Sequence, residues 1–333
     1  MNSQRNNKQM GKRLTTQSLT NMAFAHKQSG TLIAAIELDL FNQVSKGAAT
    51  VPEVAKALNL TEDRADKLVT ACAALGLLEK RGGSYYNSPE VDRYLIRDRP
   101  KYIGDWYVHQ FKSEYDNWKD AAAAIRKPPS PTGMYQTMMH GNAETIRAFT
   151  VAGYNSSIAA GHKLARDFDF SPFFLFLDLG GGSGCYSIPA VQGNPNLRAI
   201  VFDFPLVCAV TEEFIAQAGL SDRMTTQTGD FMVDELPAGA DLVSIIGNLH
   251  AYTLEETEFL IDKAFQAISP GGSMIIIDYM LNEEKTGPLE AALYHLMSAT
   301  RGNKGWVKSV AEVSEFMSQA GAVDIDIHEF IPG

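Results

Sequence analysis

A histidine, an acid and a run of glycines carry the chemistry legible in this chain. His250 lies in Gly247-Asn-Leu-His-Ala-Tyr252, directly after the apolar run Asp241-Leu-Val-Ser-Ile-Ile246. An imidazole titrating near 6.5 takes a proton from a phenol at neutral pH, and losing that proton makes the oxygen a far stronger nucleophile. Asp278 closes another apolar run, Ser273–Ile277, and suits the partner that holds the imidazole in one tautomer. The competing reading is that both residues simply cap the helices that follow. The glycines fall in Leu177-Asp-Leu-Gly-Gly-Gly-Ser-Gly-Cys185, after the apolar Phe173–Leu177 and before a helix start at Ser187. A strand, a tight glycine turn and a helix start bring backbone N–H groups close to an anionic or polar ligand.

The spacing is Gly180-x-Gly182-x-Gly184, not the Gly-x-Gly-x-x-Gly of dinucleotide sites. With Asp178 just before it, the spacing points to S-adenosylmethionine (SAM) rather than NAD. Asp178 serves equally well as a residue that holds the loop by its backbone. Asp203 ends the run Ala199–Phe202 and suits a carboxylate accepting from two ribose hydroxyls, the alternative being an N-cap of the next helix. Asp230, after Gly229, is the candidate for the adenine amino group, with Phe231 and Met232 offering apolar faces to the ring.

These residues need a sheet that gathers strand ends. From Phe173 onward apolar runs alternate with helical patterns, as in a doubly wound α/β sheet with helices on both faces. Runs at 173–177, 199–203, 225–229, 241–246 and 273–278 read as strands. Val323, Ile325 and Ile327, alternating with Asp324, Asp326 and His328, read as a sixth. The first half reads as mainly helical, with an apolar helical segment through Leu32–Phe41 and helix starts at Thr50 and Thr61. Arg81-Gly-Gly-Ser84 reads as a hairpin turn. Two short helices followed by a small hairpin describe a winged helix. Its second helix interleaves Arg64 and Lys67 with Glu62, Asp63 and Asp66, which favours dimerisation over DNA reading. The stretch 96–131 reads as an aromatic-rich helix broken at Lys127-Pro-Pro-Ser-Pro131. The domains expected are a disordered tail (1–13), a helical winged-helix dimerisation and substrate-lid domain (14–167) and a SAM-binding domain (168–333).

Composition narrows the class further. The 333 residues suffice for two cores, and 45% hydrophobic with 20% charged residues is ordinary for a globular chain. The net charge of −10 argues against general nucleic-acid binding. No apolar run approaches the ~18 residues of a membrane span. The polar start carries no signal-peptide pattern. Three dispersed cysteines, Cys72, Cys185 and Cys208, suggest neither a disulfide framework nor a zinc site, which fits a cytoplasmic protein.

The glycine loop, Val201-Phe-Asp-Phe-Pro205, Gly229-Asp-Phe231, Asn248-Leu-His250 and Ser269-Pro-Gly-Gly272 follow one another in a familiar order. In that order and approximate spacing the chain resembles the class I SAM-dependent small-molecule O-methyltransferases, the type of plant caffeate O-methyltransferase and of bacterial natural-product enzymes. Ala34-Ala-Ile-Glu-Leu-Asp-Leu-Phe41 and the winged-helix pattern are similar to that family's dimerisation domain. The resemblance implies methyl transfer to a hydroxyl of a small, aromatic acceptor, with SAM converted to S-adenosylhomocysteine and no metal. It also implies a homodimer that binds neither nucleic acid nor membrane. By position it makes Asp203 the ribose ligand, Asp230 the adenine ligand, His250 the base and Asp278 the acid beside it. Tyr252 falls where the family usually has a Trp near the adenine. Phe149, Tyr154, His295, Leu296 and Thr300 fall in its acceptor pocket.

Three departures stand out. Ala251 replaces the acid that usually follows the His, and Gly305 stands where a second flanking acid aligns. Such departures keep C- or N-methyl transfer, or a non-methylating use of SAM, as alternatives. The family sheet closes with a seventh, antiparallel strand, whereas this sequence stops at Ile331-Pro-Gly333. The expectation is a native chain longer by about 5–10 residues.

Overall fold

The computed structural model describes residues 15–130 and 141–331. The polar tail 1–13, Pro131 of the expected break, and Pro332 and Gly333 at the chain end lie outside the described residues. The chain divides into two compact units, residues 1–114 and 115–333.

The first unit is built from short capped helices around one hairpin. Helices α1 (Gln17–Ala23), α2 (Ala25–Glu37), α3 (Leu40–Ser45), α4 (Val51–Leu58) and α5 (Glu62–Ala74) precede strands β1 (Leu78–Arg81) and β2 (Ser84–Asn87). The apolar segment expected as one helix is two. Asp39 adopts a left-handed φ of 64° and accepts from the side chains of Asn42 and Gln43, so the chain turns between α2 and α3. Helix α4 starts as its residues dictate: Pro52 sits in the first turn and Glu53 accepts from the Thr50 N–H at 2.9 Å. Gly82 and Gly83, at φ 56° and 87°, supply the left-handed pair that a two-residue hairpin turn requires. Leu40, Phe41, Val54, Val69, Leu78 and Tyr85 form the core of this winged arrangement. Helix α6 (Pro89–Tyr94) follows, then α7 (Gly104–Lys119), which runs past the end of this unit; α8 (Ala121–Ile125) belongs to the second.

The second unit is the doubly wound sheet. Helix α9 (Ala143–Asp167) leads into β3 (Leu175–Leu179), α10 (Ser187–Gly193), β4 (Arg198–Asp203), α11 (Pro205–Gln217), β5 (Met224–Thr228) and β6 (Ala240–Ile246). Helix α12 (Leu254–Gln266), β7 (Ile268–Ile277), α13 (Leu289–Thr300) and α14 (Val310–Ala320) complete it. All strand pairs are parallel, in the order β5-β4-β3-β6-β7. Alternate strand residues serve opposite faces, as the period-2 geometry demands. Phe176, Val201 and Leu242 pack with Leu164 of α9, Ile188 of α10 and Ile215 of α11. Leu177, Phe202 and Val243 pack with Leu260 of α12 and Val313 of α14. Helix α9, expected with the N-terminal part, belongs to this unit because its apolar stripe joins the sheet's own core.

Two expectations need correction. Strand β3 begins at Leu175 rather than Phe173, because Asp241 accepts from the N–H groups of Phe174 and Leu175 and sets the register there. The run Val323–Ile327 forms no strand. Among the described residues the sheet has five strands, with β7 at its edge. Asp324 has a φ of 54°, which breaks the extended conformation inside the alternating pattern.

Candidate active site

The switch in strand order falls at β3, whose neighbours β4 and β6 run outward in opposite directions, and a crevice opens there at the carboxyl ends. Each of the five strands delivers one candidate group to that end. The glycine loop follows β3, Asp203 ends β4, Asp230 follows β5, His250 follows β6 and Asp278 follows β7.

The glycine loop is held from three sides. Gly180, Gly182 and Gly184 have φ of 64°, 55° and 72°, a conformation that L side chains avoid. Asn248 donates to the carbonyls of Leu179 and Gly180 at 3.2 and 3.1 Å, and Thr211 donates to the Gly182 carbonyl at 2.5 Å. Asp203 accepts from the Gly182 N–H at 2.8 Å and from the Phe204 N–H at 2.7 Å. Burial pushes the Asp203 carboxyl up to about 6, against the pull of those two N–H groups. Asp178 lies beneath the loop and is fully enclosed; Ser244 donates to its Oδ1 at 2.7 Å. Its Oδ2 is sealed from solvent, and burial raises the carboxyl above the usual range against the pull of the Ser244 and Ser187 hydroxyls. A Cβ on Gly180 would come within 2.5 Å of Asn248 and 2.9 Å of Phe231, whereas one on Gly182 would meet open space, so the loop is packed tight at its start and open at Gly182. Asn248 opens the Asn248-Leu-His250 motif, whereas Thr211, inside a helix, carries no sequence signal of its own.

Asp230 accepts from the Met232 N–H at 2.9 Å and so shapes the turn that presents Phe231 and Met232. The Phe231 ring meets Tyr252 edge-on at 5.7 Å. Burial raises the Tyr252 hydroxyl, and the nearby negative Asp230 and Asp203 raise it further. A carboxylate at two successive strand ends and a turn of left-handed glycines fit the ribose, adenine and amino-acid ends of SAM.

His250 sits on a short 3₁₀ turn, Leu249–Ala251, directly after β6. Its Nδ1 lies 2.9 Å from Asp278 Oδ1 and 3.2 Å from Oδ2, and its backbone N–H donates to Oδ2 at 3.1 Å. Both side chains are nearly enclosed, 10% and 3% exposed. Burial alone would raise the Asp278 carboxyl; the His250 charge and the N–H donors of His250 and Tyr279 outweigh it and hold it below the usual range. An ionised carboxylate only accepts, so Nδ1 carries a proton, and in the neutral form of the imidazole the lone pair is then on Nε2. The group facing that lone pair is the Tyr294 hydroxyl, 3.2 Å away. Tyr294 meets the imidazole edge-on and stacks on Tyr279 at 4.4 Å.

Tyr294 was not among the candidate pocket residues, and the helical register explains why. His250, Tyr294, Met297, Ser298 and Arg301 line a pocket with Ala251, Asn303 and Gly305. Positions 294, 297, 298 and 301 are the i, i+3, i+4, i+7 face of α13 and its exit. His295, Leu296 and Thr300 lie off that face. His295 accepts from the Val307 N–H at 3.1 Å and meets Trp306 edge-on, Leu296 is exposed, and Thr300 is buried and donates to the Met297 carbonyl. On α9, Tyr154 stacks on Phe214 at 4.1 Å and Phe149 is exposed. None of these five lines the pocket beside His250. Ala251 and Gly305, the two departures, face each other: a Cβ on Gly305 would overlap the His250 carbonyl and lie 3.1 Å from the Ala251 Cα. Among the described residues no group of His, Cys, Asp or Glu is arranged to hold a metal ion, and no helix is long and apolar enough to cross a membrane.

A doubly wound sheet with this glycine cradle and these strand-end acids defines a SAM-dependent methyltransferase of class I. Comparison with known proteins then places the chain in the O-methyltransferase family. Residues 119–322 match the O-methyltransferase domain and residues 20–97 the O-methyltransferase dimerisation domain. The 3-hydroxy-5-methyl-1-naphthoate 3-O-methyltransferase of Streptomyces sahachiroi is 32% identical over 92% of this chain and 89% of its own length. The L-tyrosine C(3)-methyltransferase of Streptomyces lavendulae is 31% identical over 87% and 82%. Human N-acetylserotonin methyltransferase, solved in complex with SAM, superposes with a TM-score of 0.81 at 25% identity, covering 96% of each chain.

Proposed function

We propose that this chain moves the methyl group of SAM to a hydroxyl of a small aromatic acceptor, with His250 as general base. The observation that carries the reading is the Tyr294 hydroxyl 3.2 Å from His250 Nε2. The ring nitrogen that would act as base already faces a phenolic O–H, while the opposite nitrogen is committed to Asp278. An acceptor phenol in that place gives its proton to Nε2, and Asp278 pairs with the imidazolium until the proton passes to water. Bound SAM supplies a methyl group activated by positively charged sulfur. Asp203 and Asp230 are the residues proposed to hold it, at the ribose and the adenine, and Asp178 would support from beneath the glycine loop that cradles its amino-acid end. Phe231, Met232 and Tyr252 would flank the adenine. Holding the reactants in line is worth about 7–11 kcal/mol where the bound geometry is right, and the base adds about 10²- to 10⁴-fold.

The pocket joins Met297 and Tyr294 to the polar Ser298, Arg301 and Asn303, which suits a flat aromatic molecule with polar substituents. The naphthoate methyltransferase among the relatives acts on such a molecule. Methyl transfer to carbon is the second reading, favoured by the L-tyrosine C(3)-methyltransferase: a phenol deprotonated by the same base is also nucleophilic at its ring carbons. We read the dimerisation domain as making a homodimer.

The test uses methyl-labelled SAM with a panel of phenols, catechols and aromatic acids, His250→Ala beside the wild type. Label on oxygen, with turnover lost by about 10²- to 10⁴-fold in the variant and SAM affinity kept, is the expected result. Label on carbon selects the second reading. A variant as fast as the wild type removes His250 from the mechanism.

A further inference from the structure

Behind the turn that carries His250 lies a charged side chain with no part in the mechanism above. Lys308 is 2% exposed, and its Nζ donates to the carbonyls of Leu249 at 2.5 Å and Tyr252 at 2.6 Å. These two carbonyls belong to the residues that flank His250 and Ala251. The Lys308 backbone is tied in the other direction: its carbonyl accepts from the Leu281 N–H at 2.9 Å, three residues beyond Asp278. One residue therefore grips the histidine's turn with its side chain and the aspartate's segment with its main chain.

The neighbouring residues complete the grip. Gly305 has no side chain, so its backbone lies flush against the His250 carbonyl, and the Trp306 N–H donates to the Tyr252 carbonyl at 3.1 Å. Ala251 and Gly305 hold the positions where the family pattern has acids, and both are small. What stands behind the histidine here is a buried ammonium on backbone carbonyls. Burying an ammonium costs several kcal/mol unless its donors are satisfied, so this placement is a strong constraint on the groups that satisfy it.

We propose that Lys308 is a positioning residue for His250, fixing the 249–252 turn so that Nδ1 meets Asp278 and Nε2 faces the acceptor pocket. The proposal rests on the reading of His250 as the base. Burial moves the Lys308 ammonium down to about 7, with Asp278, Glu256 and Glu312 opposing that shift through space. Displacing a catalytic group by about 1 Å costs up to about 10²-fold, which sets the size of effect expected here.

The test is a double-mutant cycle of Lys308→Met and His250→Ala, measured on the full-length protein with the acceptor found in the labelling panel. Lys308→Met is expected to lower kcat about 10- to 100-fold with SAM affinity unchanged. Combined with His250→Ala it should cause no further loss, because a clamp acting only through the imidazole has nothing left to position. In spectra of ¹⁵N-histidine-labelled protein, the Nδ1-protonated signal of His250 should give way to a tautomer mixture in the Lys308 variant. A Lys308→Met kcat within twofold of the wild type, or a loss that multiplies with that of His250→Ala, overturns the proposal. If Lys308→Met does not fold, Gly305→Ala perturbs the same turn from the other side and is judged by the same two criteria. His250→Ala at full speed would sink the base reading and this proposal together. A normal His250→Ala loss beside an unaffected Lys308 variant would sink this one alone.

Discussion

At the scale of single residues, the site sets two buried acids to opposite tasks by their surroundings. Asp278 is held ionised by His250 and two N–H groups, whereas burial moves Asp203 up to about 6. For Asp203 the folded value exceeds the ordinary ~3.9, so ionising it costs the ligand-free fold stability that falls as pH rises from about 4 to 6. A ribose hydroxyl is a donor that rewards the ionised form. SAM affinity should therefore be level above pH 7 and weaken as pH falls through 6. Asp203→Asn should bind more weakly throughout and show no such step, as read by calorimetric titration from pH 5 to 8. A wild-type affinity without that step would separate Asp203 from the ligand. Tyr294 makes a different prediction. Its hydroxyl occupies the lone pair that an acceptor needs, so Tyr294→Phe removes a competitor worth one hydrogen bond, about 0.5–1.5 kcal/mol. The acceptor KM should fall by about 2- to 10-fold with kcat kept. A collapse in kcat would instead make Tyr294 part of the proton path.

At the scale of elements, the strand ends were legible and the helix faces were not. Asp203, His250 and Asp278 each follow an apolar run that reads as a parallel strand, and Asp230 follows the polar, mostly exposed edge strand β5, so their gathering at one end follows from the strand–helix alternation. Helix α13 gives no such guidance. Its residues 291–300 are apolar or small on several sides, and the face that meets His250 is set by packing that no periodicity encodes. The candidate residues His295, Leu296 and Thr300 fall on its other sides for that reason. Likewise Val323–Ile327 alternates as a strand does, yet Asp324 turns left-handed and, among the described residues, no strand pairs with it. The register of α13 carries its own prediction. Ser298→Leu intrudes on the pocket beside His250 and should raise the acceptor KM by tenfold or more, while Leu296→Ala, on an exposed face, should leave it within twofold. Equal effects of the two would mean that the acceptor enters elsewhere.

At the scale of the whole molecule, the apolar surface left on the first helices bears on assembly. Helix α1 buries none of its residues within the chain, and Leu19, Met22 and, just beyond it, Phe24 are 64%, 67% and 50% exposed. A seven-residue helix has little stability of its own in water, so its apolar side chains need a partner surface to hold it. The matched dimerisation domain, residues 20–97, covers Met22 and Phe24 and begins one residue after Leu19, and a second copy of the chain is the partner that the homodimer reading supplies. Burying three such side chains is worth about 1.5–3 kcal/mol each. Placing a charge there should therefore shift the association constant by several orders of magnitude. Met22→Glu with Leu19→Glu should move the protein from a dimer to a monomer in sedimentation at micromolar concentration. Helix-by-helix hydrogen exchange should show α1 losing its protection while β3 to β7 keep theirs. If the doubly charged variant sediments as the wild type does, α1 is not in the interface, and the exposed stripe on it needs another occupant.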